Sequence, residues 1–122
     1  MADEKHKPVL VVEDEPIILL NAVDHLHDIG HVAYAAANAS EAMDLLNGLA
    51  SGIDVLFTDI NMPGEMDGIQ LVELVHARWP HIGLIVTSGH ERLASSTLPD
   101  DGIFISKPYD LEQLSKLLDE GS

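Results

Sequence analysis

Four stretches of this chain are near-continuous runs of apolar, largely β-branched residues: "PVLVVE" (8–13), "IDVLFTD" (53–59), "IGLIVTS" (82–88) and "GIFISKP" (102–108). A strand with one wet face alternates apolar and polar side chains, whereas a strand that is apolar throughout must be covered on both faces. Amphipathic segments lie between the runs. Strands that are dry on both faces and separated by helices form a parallel sheet sandwiched between two helical layers.

The intervening segments carry their own punctuation. "PIILLNAVDHLHDIG" (16–30) opens on Pro, closes on Gly, and spaces Leu19, Ala22, Val23, Leu26 and Ile29 at helical period. "HVAYAA" (31–36) is a weaker strand, and Ser40 is the expected N-cap of a helix over 40–51. Asp67 caps a helix through Trp79 that turns Leu71, Val72 and Val75 inward and stops at Pro80. A short helix is expected at 90–98. The last, over 110–120, places Leu111, Leu114 and Leu118 on one face. The result is five βα units with right-handed crossovers, an α/β doubly wound sheet of five parallel strands.

One domain spanning 1–122, with a core at about 8–119, accounts for all 122 residues. Without cysteine there is no disulfide, thiolate metal site or cysteine nucleophile. No stretch approaches the roughly 20 apolar residues of a membrane span, and "MADEKHKP" has no apolar signal region, so no membrane insertion and a cytoplasmic location are expected. With 21 acids against 6 bases the net charge is −15, which repels nucleic acid backbones and argues against direct DNA or RNA binding. A monomer or weak dimer is expected.

The polar residues fall at particular places on this plan. Glu13 and Asp14 end the first strand, Asp59 the third, Ser88 the fourth and Lys107 the fifth. Open α/β sheets bind ligands beyond the carboxyl ends of their strands at a topological switch point. With strand order 2-1-3-4-5 that point lies between strands 1 and 3, where the acids converge. Acids so crowded would partly protonate or hold a cation, and an all-oxygen ligand set selects a hard one, Mg²⁺, with Mn²⁺ as a substitute. The abrupt turn after Asp59 would let a backbone carbonyl, that of Asn61, complete the metal shell. A carboxylate, a hard dication, a lysine and a hydroxyl together equip a site for phosphoryl transfer, in which Asp59 can be the nucleophile. Glu15 is read as a turn residue capping the first helix and not as part of the site. Thr87 rivals Ser88 as the hydroxyl; strand alternation sends the two to opposite faces, and the register of the strand end favours Ser88. His25 and His27, two apart on a helix, share no face and make no metal pair.

Over about 8–119 the chain resembles the receiver domain of two-component response regulators, with its flavodoxin-like fold. "VLVVEDEP" resembles the family's acidic first strand end, "LFTDINMPG…MDG" its phospho-acceptor segment, "VTSGH" its switch hydroxyl and "FISKPYD" its Lys-Pro. The resemblance implies that Asp59 is the phospho-acceptor and that Glu13, Asp14, Asp59 and the Asn61 carbonyl hold Mg²⁺. Ser88 and Lys107 would contact phosphoryl oxygens, and the Lys107–Pro108 bond would be cis. Phe104 occupies the aromatic switch position, Gly89 leaves the phosphoryl group open to attack, and Asn61 and His90 fall where the family tunes the lifetime of the phosphorylated state. Three features depart from the family's pattern. Phe104 lacks the hydroxyl of the commoner Tyr, "MPGEMDG" carries one residue more than "MPGMDG", and Ser88 to Lys107 is a few residues short.

The function implied is a signalling switch rather than a turnover enzyme. A histidine kinase or histidine phosphotransfer protein would donate a phosphoryl group to Asp59 and so change protein–protein interactions. The alternative is a receiver belonging to a hybrid kinase or larger regulator that relays phosphate. The initial Met and short flanks favour a stand-alone receiver. A Mg²⁺-dependent phosphohydrolase would need a second acid two residues past the nucleophile, where this chain has Asn61.

Overall fold

In a computed structural model the chain is described at residues 7–60, 66–88, 102–106 and 111–120, with the backbone alone at Ala50, Ser88, Ser106, Asp119 and Glu120. Strands β1 (Val9–Val12), β2 (Ala33–Ala36), β3 (Val55–Asp59), β4 (Gly83–Ser88) and β5 (Ile103–Ser106) accompany helices α1 (Pro16–Asp28), α2 (Ala39–Leu49), α3 (Gly68–Arg78) and α4 (Leu111–Glu120). A 3-10 turn, Ala50–Gly52, extends α2. The five strands form one sheet in the order β2-β1-β3-β4-β5, and every pairing is parallel. The expected helix at 90–98 lies outside the described residues.

Two apolar layers enclose the sheet. On one face Leu10, Val12, Leu56, Leu84 and Val86 pack with Ala42 and Leu46 of α2 and with Leu71, Val72 and Val75 of α3. On the other, Val9, Val11, Val55, Phe57, Ile85 and Ile105 pack with Ala22 and Leu26 of α1 and Leu114 and Leu118 of α4. Neighbouring residues of each strand thus go to opposite layers, and both layers are dry, which is why these strands read as unbroken apolar runs. Each fully buried Leu or Val contributes roughly 1.5–3 kcal/mol relative to exposure.

The helix ends are settled by local hydrogen bonds. Pro16 opens α1, where its missing N–H costs nothing. At the other end Gly30 takes φ 99, with Gly30 N–H donating to the carbonyl of His27 and His31 N–H to that of Leu26. That pair of bonds is a Schellman cap, and it takes Ile29 off the helical period. Ile29 is therefore 39 % exposed, unlike Leu19, Ala22, Val23 and Leu26, which face the core.

The start of α2 also differs from expectation. Asn38, not Ser40, is the capping residue: its Oδ1 accepts from Glu41 N–H at 2.9 Å, while Glu41 Oε1 accepts from Ala37 N–H at 2.8 Å. Ser40 lies inside the helix. The cap of α3 is as expected: Asp67 accepts from Gln70 N–H, and the Gln70 side chain accepts from Asp67 N–H, a reciprocal capping box. Two histidines serve packing. His31 is buried and bonds the Lys7 carbonyl at 2.9 Å, and His25 Nε2 joins Ser115 Oγ across α1 and α4 at 2.8 Å.

Candidate phospho-acceptor and metal site

The parallel pairing of β1 with β3 determines which residues meet. Val12 is in register with Thr58, so Glu13 and Asp59 come next on adjacent chains at the carboxyl edge of the sheet. Glu13 continues the face of Val9 and Val11, and Asp59 that of Val55 and Phe57, so both lie on the α1/α4 side. Both are buried, whereas Asp14, one residue into the loop, is exposed. One carboxylate oxygen from each of Glu13, Asp14 and Asp59 can be chosen so that all lie within 4.8 Å of one another.

Local hydrogen bonds hold the Glu13 carboxylate and the backbone of Asp59. Glu13 Oε2 accepts from Glu15 N–H at 3.1 Å, which draws the carboxylate back over the loop. Glu15 occupies the N-cap position of α1 by its backbone, and its side chain makes no capping bond. Asp59 is fixed from both sides of its peptide. Ile60 N–H donates to the Thr87 carbonyl at 2.9 Å, and Thr58 Oγ1 donates to the Asp59 carbonyl at 3.0 Å. Gly68 N–H donates to the Ile60 carbonyl at 2.9 Å. A Cβ at Gly68 would strike the Asp59 carbonyl oxygen and come within 2.6 Å of the Ile60 Cα. The Gly of "MDG" is needed because the first turn of α3 abuts the end of β3.

Two carboxylates at about 5 Å repel by about 3 kcal/mol at an effective dielectric near 20. Three oxygen donors, two of them buried, fit a small hard cation with open positions for water and a phosphoryl oxygen. Among the described residues no other group of three acids or histidines has this arrangement.

A family model for the response regulator receiver domain matches residues 9–119. The chain belongs to that family. A receiver of this kind is a signalling domain of two-component systems, and its acidic cluster suits magnesium binding beside a phosphorylatable aspartate. The solved response regulator receiver domain protein of Clostridium thermocellum superposes with a TM-score of 0.86 at 26 % identity, over 93 % of this chain and 92 % of that one. The response regulator receiver protein of Sinorhizobium medicae is 30 % identical, with a TM-score of 0.80 over 95 % of this receiver and 97 % of its own chain. The receiver is also 34 % identical to part of the sensor kinase CckA of Brucella abortus, over 92 % of this chain. It spans 12 % of that kinase's length.

The remaining expected site residues are distributed unevenly. Ser88 is the last residue of β4, its backbone in register with Ser106. Asn61, Gly89, His90, Lys107 and Pro108 lie outside the described residues. Phe104 pairs with Val86 and packs half-buried against the α2/α3-side core. One neighbour of Asp59 was visible in the sequence only as a rival to Ser88. Thr87 is the register partner of Asp59, is 1 % exposed, and continues the face of Ile85 toward α1 and α4. Alternation alone separates Thr87 from Ser88; that it stands beside Asp59 depends on strand register, which is a tertiary property. Among the described residues no helix is long and apolar enough to cross a membrane.

Proposed function

We propose that this receiver is a phosphoryl-accepting switch in which Asp59 takes the group from a phosphohistidine of a histidine kinase or histidine phosphotransfer protein. An oxygen of the Asp59 carboxylate bonds to phosphorus as the phosphorus–nitrogen bond breaks, and the freed imidazole takes up a proton. Glu13, Asp14, Asp59 and the Asn61 carbonyl would hold Mg²⁺, or Mn²⁺ in its place. The cation supplies charge neutralisation between the carboxylates and the incoming phosphoryl oxygens. Lys107 would pair with one phosphoryl oxygen and Ser88 would donate to another. Movement of Ser88 would draw Phe104 inward, a steric signal since the ring has no hydroxyl. Gly89 would leave the phosphoryl group open to attack, with Asn61 and His90 at the rim and Pro108 fixing the turn after Lys107.

The observation that carries this reading is the clustering of the adjacent pair Glu13 and Asp14 with Asp59, far from them in sequence, one carboxylate oxygen of each lying within 4.8 Å of the others at the carboxyl edge of the sheet. A docking face for the donor adjoins them. Ile17 and Leu20, three apart on the first turns of α1, are 73 % and 59 % exposed. The similarity to a sensor kinase favours a second reading, a relay intermediate within a larger protein. In both readings residues 1–122 act as one receiver unit without a separate turnover substrate.

Acetyl phosphate with Mg²⁺ should add one phosphoryl group to the wild-type protein, detected by intact mass, and Asp59→Ala should abolish it. Undiminished labelling of Asp59→Ala would refute the assignment.

A further inference from the structure

Thr87 presents a buried hydroxyl that takes no part in the proposed phosphoryl transfer. Its Oγ1 is sealed from solvent and has no hydrogen-bond partner among the described residues. A hydroxyl buried without a partner is costly, and the few that persist in folded proteins call for a reason. An apolar β-branched residue would fill the same place in the strand without that cost, as Ile85 does two positions earlier on the same face. The position is also particular. Thr87 is the register partner of Asp59, and Glu13, Asp59 and Thr87 form a buried polar row across β1, β3 and β4 on the α1/α4 side.

We propose that Thr87 is a positioning residue for the loaded state of the site, its hydroxyl acquiring a partner when Asp59 carries a phosphoryl group. The hydroxyl then donates to the modified Asp59 side chain and favours that state over the free one. It is distinct from Ser88, the next and last residue of β4. The inference rests on the reading of Asp59 as phospho-acceptor.

The test is calorimetric titration of the intact chain with beryllofluoride, a phosphoryl mimic, in saturating Mg²⁺, together with thermal melts of the unloaded protein. Thr87→Val keeps the shape and removes the hydroxyl; Thr87→Ser keeps the hydroxyl. Thr87→Val should melt no lower than wild type when unloaded, yet bind beryllofluoride about 5- to 10-fold more weakly, the worth of one hydrogen bond. Thr87→Ser should restore affinity to within about twofold. A purely structural residue would change the unloaded melt and leave affinity alone. Equal affinity of Thr87→Val and wild type, a lower unloaded melt for Thr87→Val, or failure of Thr87→Ser to restore binding would each overturn the inference. Wild-type protein that binds no beryllofluoride would instead remove the reading of Asp59 on which it depends.

Discussion

Gly68 stands directly against the backbone of Asp59, so close that even a methyl group there would overlap the Asp59 carbonyl oxygen and the Ile60 Cα. The obstructing atoms are main chain, which cannot rotate away as a side-chain tip can. Gly68→Ala must therefore displace either the start of α3 or the end of β3. We expect a loss of about 2 kcal/mol or more in urea unfolding, together with weakened Mg²⁺ binding, because the displaced strand end carries Asp59. Gly48→Ala is the control. That residue lies in α2 with nothing within 4 Å of the added Cβ, and the change should stabilise by about 0.5–1 kcal/mol.

A second prediction separates the two candidate caps of α2. Asn38 Oδ1 accepts the Glu41 N–H, one of the donors that a helix leaves unmatched at its start. Asn38→Ala should cost about 1 kcal/mol, whereas Ser40→Ala, an exchange within an exposed helical turn, should change stability by less than about 0.5 kcal/mol. Paired denaturation curves with equal slopes would measure both.

The cap of α2 also shows where sequence patterns stop. Asn38 and Ser40 are both good capping residues, and only the reciprocal bond through Glu41 to Ala37 selects between them. Sheet order and strand faces were legible because unbroken apolar runs and their helical partners admit few arrangements. The convergence of Glu13, Asp14 and Asp59 was legible because the strand order sets the carboxyl ends of the first and third strands side by side. Ile29 fitted the helical period yet fell outside the helix, since the positive φ of Gly30 ends the repeat one residue before it. Gly68 was visible as a turn signal, but the contact that requires glycine depends on where β3 ends relative to α3.

Relief of the repulsion among the acids gives a third prediction. Mg²⁺ at a hundred times its dissociation constant should stabilise the wild-type protein by about 2.7 kcal/mol, raising the melting midpoint by about 4 °C per kcal/mol for a chain of this size. Asp14→Asn removes the exposed member of the cluster. Without metal it should be as stable as wild type or more so, by at most about 1 kcal/mol, since solvent screens that charge. With metal it should lose at least about tenfold in affinity, and so most of the midpoint rise at the same Mg²⁺ concentration. Chelation with EDTA should return the wild-type midpoint to its metal-free value. A Mg²⁺-induced rise equal in both proteins would show that Asp14 is no ligand.

The exposed apolar pair on α1 distinguishes docking from chemistry. Ile17 and Leu20 lie on the turns that follow Asp14, and neither contributes to the core layers on the sheet. Replacing both by Ser should leave the fold and the acidic cluster intact, because exposed positions tolerate polar residues with small changes in stability. Phosphorylation of Asp59 by acetyl phosphate, which needs no protein surface, should proceed at the wild-type rate. Transfer from a phosphorylated histidine kinase should slow by about tenfold or more, the effect of losing an apolar contact worth 1–2 kcal/mol from the encounter complex. Rates measured with both donors on one preparation check it: equal slowing with the two would place the defect in the site, and no slowing with either would leave Ile17 and Leu20 outside the docking surface.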